Sequence, residues 1–233
     1  MNAPKRRRLM EDLAASAQYV DTVVARLDDP DWVVRSCALD TLGNLEPAAL
    51  AQHADALVAR LEDAHEVVRL DALKTLVQLE PAALALYAVA VIARLSDSSD
   101  HVRQVALNTL HKLDPATLAQ HAEAFVARLE DSDWKVRSRA VETLGQLDPT
   151  SLARHAEAVV ARLEDSHEDM REEALETLSK LEPARLAQHA GAVIDTWLEL
   201  HPNDENFDGG YLAEERAEAC ASALALIRAL PCY

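Results

Sequence analysis

Glycine and aromatic residues are scarce in this chain. There are five glycines in 233 residues, and Phe, Trp and Tyr together make up 4%. That shortage speaks against a β fold, while the abundance of Ala, Leu, Glu and Arg favours helix. No apolar run approaches the roughly 20 residues of a membrane span. The opening stretch, Met1 to Arg8, has no apolar core behind it and does not read as a secretory signal. Cysteine is also sparse: Cys37, Cys220 and Cys232 share no motif spacing, a pattern expected of a reducing compartment. Positive charge is short as well. Lys and Arg number 23 against 40 Asp and Glu, a net charge of −17. Such a surface repels nucleic-acid phosphates and anionic membranes alike. The expected partner is a protein with a basic or apolar surface.

What the chain has is a period. The tripeptide Ala-Arg-Leu recurs at residues 25, 59, 93, 127 and 161, always 34 apart. A constant period of this length means one supersecondary unit stacked on itself. Within the unit from Pro47 to Glu80, Pro47 suits the first turn of a helix. Leu50, Ala54, Leu57, Val58 and Leu61 follow at helical spacing. Asp63 is expected to end this helix and to cap the next, as is Asp29 before Pro30. Val68, Ala72, Thr75, Leu76 and Leu79 form the second stripe. Each unit is therefore a helix–turn–helix that needs neighbours to bury both faces.

Aligned by 34, the units share an Asp and an Arg six apart. The pairs are Asp29 and Arg35, Asp63 and Arg69, Asp97 and Arg103, Asp131 and Arg137, and Asp165 and Arg171. A second-helix threonine recurs at 41, 75, 109, 143 and 177. The pattern Asp-x-x-x-x-Val-Arg-x-x-Ala-Leu-x-x-Leu resembles HEAT repeats, closest to the short kind of the bilin lyases. It reads here as Asp131-Ser132-Asp133-Trp134-Lys135-Val136-Arg137, then Ala140-Val141 and Leu144-Gly145. The resemblance covers about residues 9–200. It implies that the Asp and Arg columns form a ladder between adjacent units, with second helices lining a concave face. The tetratricopeptide repeat shares the length of 34, but its early aromatic and Gly-x-x-Tyr are missing. HEAT units often carry a proline inside the first helix; these do not, so straight helices are expected.

The expected fold is all-α, a right-handed α-solenoid of about six antiparallel helix pairs in one domain. Residues 1–8 form a basic tail and 9–46 a capping repeat. Residues 47–182 hold four regular repeats, and 183–233 a capping pair with a polar loop at 201–210 and a last helix from about 212 to 230. The loop reads as a cap or as a binding insertion. Lys5, Arg6, Arg7 and Arg8 read either as a nuclear localisation signal or as a solvated tail, and the expected compartment is intracellular, cytoplasmic or nuclear.

No catalytic, cofactor or metal site emerges. His53, His121, His155 and His189 share one first-helix column with Tyr19 and Tyr87. One histidine per unit, with units roughly 10 Å apart, cannot converge on an ion. The pairs His65-Glu66 and His167-Glu168 stand three units apart. They predict capping boxes with Asp63 and Asp165 instead. The Arg of Ala-Arg-Leu is expected to favour the negative end of its own helix.

The variable columns point to recognition. Trp32 and Trp134 occupy a column that is otherwise Glu66, Asp100 and Glu168, so at least partial exposure is expected, either as interface anchors or with each indole folded over its own helix start. Candidate partner contacts are Trp32, Val67, Leu70, His101, Val105, Trp134, Lys135 and Arg139. The function expected is a non-enzymatic protein-binding or scaffold module. A bilin-lyase-like enzyme or chromophore chaperone, and a subunit of a large assembly, are the alternatives.

Overall fold

Short helices follow directly from the punctuation of the sequence. In the computed structural model, which describes residues 18–200, Pro47, Pro81, Pro115, Pro149 and Pro183 each open a first helix at its first position. A proline there loses no intrahelical hydrogen bond. Asp114 and Asp148 also cap, accepting from Ala116 and Thr117 N–H and from Thr150 and Ser151 N–H. Glu46, Glu80 and Glu182, one carbon longer, make no such bond.

The described chain divides between Leu113 and Asp114 into two compact units. The first contains α1 (18–25), α2 (Trp32–Leu42), α3 (Pro47–Leu50), α4 (Ala54–Ala59), α5 (Glu66–Leu76), α6 (Pro81–Ala85), α7 (Ala88–Ala93) and α8 (Asp100–Leu110). The second contains α9 (Pro115–Ala119), α10 (Ala122–Val126), α11 (Trp134–Leu144), α12 (Pro149–Ala153), α13 (Ala156–Val160), α14 (Glu168–Ser179), α15 (Pro183–Leu186) and α16 (Ala190–Leu200). Five second helices are described: α2, α5, α8, α11 and α14. In the first unit α2 packs on α5 and α5 on α8; in the second α11 packs on α14. No described helix is long and apolar enough to cross a membrane. The basic tail, the loop 201–210, the last helix, Cys220 and Cys232 lie outside the described residues.

The first helices are not straight. Each regular one breaks at the His/Tyr column, where φ is −114° at His53, −110° at Tyr87, −120° at His121 and −113° at His155, with ψ near zero. The N–H groups of Tyr87, His121 and His155 donate to carbonyls three residues back rather than four. This local tightening bends the helix without a proline.

The core repeats with the period. Leu50, Ala54, Leu57, Leu61, Val68, Ala72, Leu76 and Leu79 are buried, and Leu73 joins them, whereas Val58 is only half-buried. Each buried Leu contributes about 1.5–3 kcal/mol of transfer free energy. Trp197 replaces the leucine of Leu27, Leu61, Leu95, Leu129 and Leu163 and is equally buried.

Candidate recognition surface

Three sets of polar links hold successive pairs together and so position the second helices. Arg35 donates Nε and Nη2 to the two oxygens of Asp63, both at 2.7 Å. Its Nη1 donates to the carbonyls of Asp29 and Pro30 at 2.8 and 3.1 Å. Arg69 grips Asp97 and the Asp63 carbonyl in the same way, and Arg137 grips Asp165 and the Asp131 carbonyl. The bidentate hydrogen bonds raise the pKa of Arg69 and Arg137 despite burial. Burial alone would raise Asp63, Asp97 and Asp165; the bonds from the partner arginine and from a backbone N–H two residues on hold all three below the usual carboxylate range.

These aspartates do not cap the second helices. Asp29, Asp63, Asp97, Asp131 and Asp165 stand two residues earlier and accept the N–H of the cap residue, as His65 N–H does on Asp63 at 2.9 Å. The caps are Asp31, His65, Ser99, Asp133 and His167. His65 Nδ1 accepts from Val67 N–H at 3.3 Å, while Asp133 accepts from Lys135 and Val136 N–H. The expected capping boxes with Glu66 and Glu168 are therefore absent, because the helices begin two residues later than the Asp column suggested. Pro30 likewise precedes the cap and does not follow it.

The arginine of Ala-Arg-Leu also acts across repeats. Arg60 donates to the Leu27 carbonyl at 2.6 Å, Arg94 to Leu61 at 2.9 Å and Arg162 to Leu129 at 2.9 Å. Each serves the closing turn of the preceding first helix, not of its own. Carboxylates there add ion pairs: Asp28 with Arg60, Glu62 with Arg94, Glu130 with Arg162. The threonine column is the third link. Thr75 donates within its helix to Asp71 O at 2.8 Å and lies 3.3 Å from Leu39 O of the preceding helix.

On this frame stand the candidate contacts. His101 and Lys135 are exposed; Val67, Leu70, Val105, Trp134 and Arg139 are half-buried. Trp32 is 38% exposed beside Val33 at 46%. The indoles neither stand free nor fold over their own helix starts. Trp32 stacks on His65 with ring centroids 3.9 Å apart and planes 2° apart; Trp134 stacks on His167 at 3.7 Å and 12°. Sequence reasoning treated the four residues as two separate features. A signal was there: both tryptophans are followed 33 residues later by histidine, whereas Glu66 and Asp100 are followed by Ser99 and Asp133.

Within the second unit, α11 presents Arg139 and Glu142, and α14 with its C-cap presents Glu173, Glu176 and Lys180. Arg139 pairs with Glu142, and Lys180 with Glu176 at 3.6 Å. Burial first, then the like charges of Glu142 and Glu176, push the Glu173 carboxyl up to about 7. In the first unit the same column holds Cys37, Asp71 and Val105, and Asp71 is met by Ser36 at 2.6 Å and by Lys74 at 3.1 Å. Among the described residues, no group of three or more His, Cys, Asp or Glu is placed to hold a metal ion. The column His53, His121, His155 and His189 instead marks the first-helix bends.

Family models for HEAT repeats match residues 20–48 and 122–196. No curated protein matches the chain. Among solved structures, an engineered protein is 16% identical with a TM-score of 0.60, over 90% of this chain and 96% of that one. A designed armadillo repeat protein in complex with the peptide (KR)4 is 19% identical with a TM-score of 0.62, over 87% and 98%. Kap121p is 14% identical with a TM-score of 0.66, over 90% of this chain and 23% of its own. At these identities the likeness is one of fold: an all-helical, HEAT/armadillo-like solenoid type.

Proposed function

We propose that the chain is a protein-binding module whose second-helix face takes a basic segment of a partner protein. The observation that carries this reading is Glu173. A half-buried carboxylate crowded by Glu142 and Glu176 has an unfavourable charge that a lysine or arginine from a partner would relieve. Arg139 and Lys180 border the carboxylates on the second unit; Trp134 and Lys135 there, and Trp32, Val33, Val67 and Leu70 on the first unit, are the further proposed contacts. The designed armadillo neighbour, whose structure contains (KR)4, offers a ready probe.

The test is fluorescence anisotropy with labelled (KR)4. Glu173→Gln/Glu176→Gln weakens binding at least tenfold, and affinity falls steeply with salt. Unchanged affinity in the double variant would overturn the assignment. A pull-down with Trp32→Ala/Trp134→Ala examines the apolar contacts. If every partner stays while circular dichroism is unchanged, those contacts are wrong. Coloured protein on coexpression with a bilin source would favour the lyase-like alternative instead.

A further inference from the structure

The first-helix face of the first unit carries one anomaly. Leu86 and Val89 are 79% and 72% exposed. At the Leu86 position the sister repeats have Gln18, Gln52, Gln120, Arg154 and Gln188. At the Val89 position they have Asp21, Asp55, Glu123, Glu157 and Gly191. Five of five and four of five are polar, so the apolar pair departs from a rule the chain otherwise keeps. The whole stretch Pro81–Ala93 contains no polar side chain except Tyr87. Tyr87 is itself tied down, its hydroxyl donating to Asp55 Oδ1 at 3.0 Å. Nothing in the packing uses Leu86 or Val89, because the core positions of this stretch are Leu84, Ala88 and Val91.

The surroundings choose the occupant. Asp55 and Asp21 hold the Val89 position on the two preceding repeats, so they continue the same row roughly 10 and 20 Å away by helix-packing distance. Both are exposed. The row therefore reads carboxylate, carboxylate, apolar. A second copy of this chain fits poorly. It would bring an equally acidic face, with a net charge of −17 on each chain. We infer that Leu86 and Val89 anchor an amphipathic helix of another protein. Its apolar residues cover this pair, and its lysines or arginines reach Asp55 and Asp21. This surface is separate from the second-helix face.

The probe is a labelled 14-residue helix of leucine and lysine with one apolar face, set against a leucine–glutamate counterpart, both titrated into the full chain. The variant is Leu86→Gln/Val89→Gln, which keeps the net charge. Glutamine is what four sister repeats carry at the Leu86 position, so the fold is retained. The leucine–lysine helix binds the wild type at least tenfold tighter than its glutamate counterpart. The variant loses at least tenfold for the leucine–lysine helix while binding (KR)4 as the wild type does. Asp55→Asn/Asp21→Asn weakens the same helix, and Glu173→Gln/Glu176→Gln leaves it unchanged. Equal binding of the leucine–lysine helix to wild type and the Leu86/Val89 variant would overturn the inference. So would equal binding of the two helices, or a wild-type dimer in sedimentation velocity that the variant abolishes.

Discussion

Trp32 lies flat on His65, one helix pair further along, with ring planes 2° apart and centroids 3.9 Å apart. Each ring sits at the start of a second helix: Trp32 is the first residue of α2, and His65 is the cap of α5. The stack thus joins two helix starts and leaves one edge of the indole in water. Trp134 and His167 repeat the arrangement in the second unit.

A double-mutant cycle on Trp32 and His65 measures this bond. Aromatic pairs are worth about 0.5–1.5 kcal/mol beyond area burial, and the coupling energy falls in that range. Additive effects of Trp32→Ala and His65→Ala on urea unfolding would show that the rings lie together without stabilising one another.

The described rungs of the ladder are unequal. Arg69 is bonded to both Asp97 oxygens and to the Asp63 carbonyl. Arg171 reaches the Asp165 carbonyl at 2.9 Å, but its Nε has no partner among the described residues. The reason lies in α16. With Thr196 in place of the usual arginine, this helix runs on to Leu200, so Glu199, 28 residues after Arg171, is helical and not in the extended turn where Asp97 sits. Arg69→Ala costs about 3 kcal/mol, as for unpairing a buried ion pair. Arg171→Ala costs about 1 kcal/mol, as for one hydrogen bond. Equal losses in denaturant melts would contradict this ranking.

Glu173 adds a pH dependence to stability. Its carboxyl is raised from 4.5 to about 7, so between those values the folded state holds a proton that the unfolded chain has released. Stability therefore falls as pH rises through that window. Glu173→Gln melts about 2 °C higher than wild type at pH 8 and no differently at pH 5. Asp63, Asp97 and Asp165 act oppositely. Their depressed values give stability that is present above their unfolded value of 3.8 and is lost as pH falls through the folded values. Melting curves for the Gln variant that parallel wild type from pH 5 to 8 would refute the role of Glu173.

Two equivalent glycines respond differently to alanine. A Cβ on Gly145 would stand 2.8 Å from Thr177 Oγ1 and 3.1 Å from Lys180 Nζ; on Gly43 its nearest neighbour is Gln78 Nε2 at 3.1 Å. The Gln78 and Lys180 tips can swing away, but Thr177 is fully buried. Gly145→Ala destabilises by about 1–3 kcal/mol, as overpacking does. Gly43→Ala is neutral or gains a few tenths from helix propensity. Thermal melts showing the same shift for both would count against the close approach at Gly145.

The helical class, the 34-residue unit and the proline-started first helices were legible because each follows from local chemistry. Pro47 and its equivalents declare a helix start, and Leu50, Leu57 and Val68 declare a buried stripe by spacing alone. The bends at His53 and Tyr87 were not legible, since straightness was inferred from the absence of proline, and a shift to three-residue hydrogen bonding leaves no such mark. For the candidate surface, the columns were legible but the partnerships within them were not.

By itself, the sequence determined which residues recur and which face of each helix is apolar. Periodicity states both, because burial must repeat when the unit repeats. Only the tertiary structure decided which atoms meet across repeats. Arg60 reaches back to the Leu27 carbonyl, Arg35 forward to Asp63, and Trp32 onto His65. Those pairings depend on the rise and rotation from one helix pair to the next. These are set by the sum of many packed side chains and written at no single position.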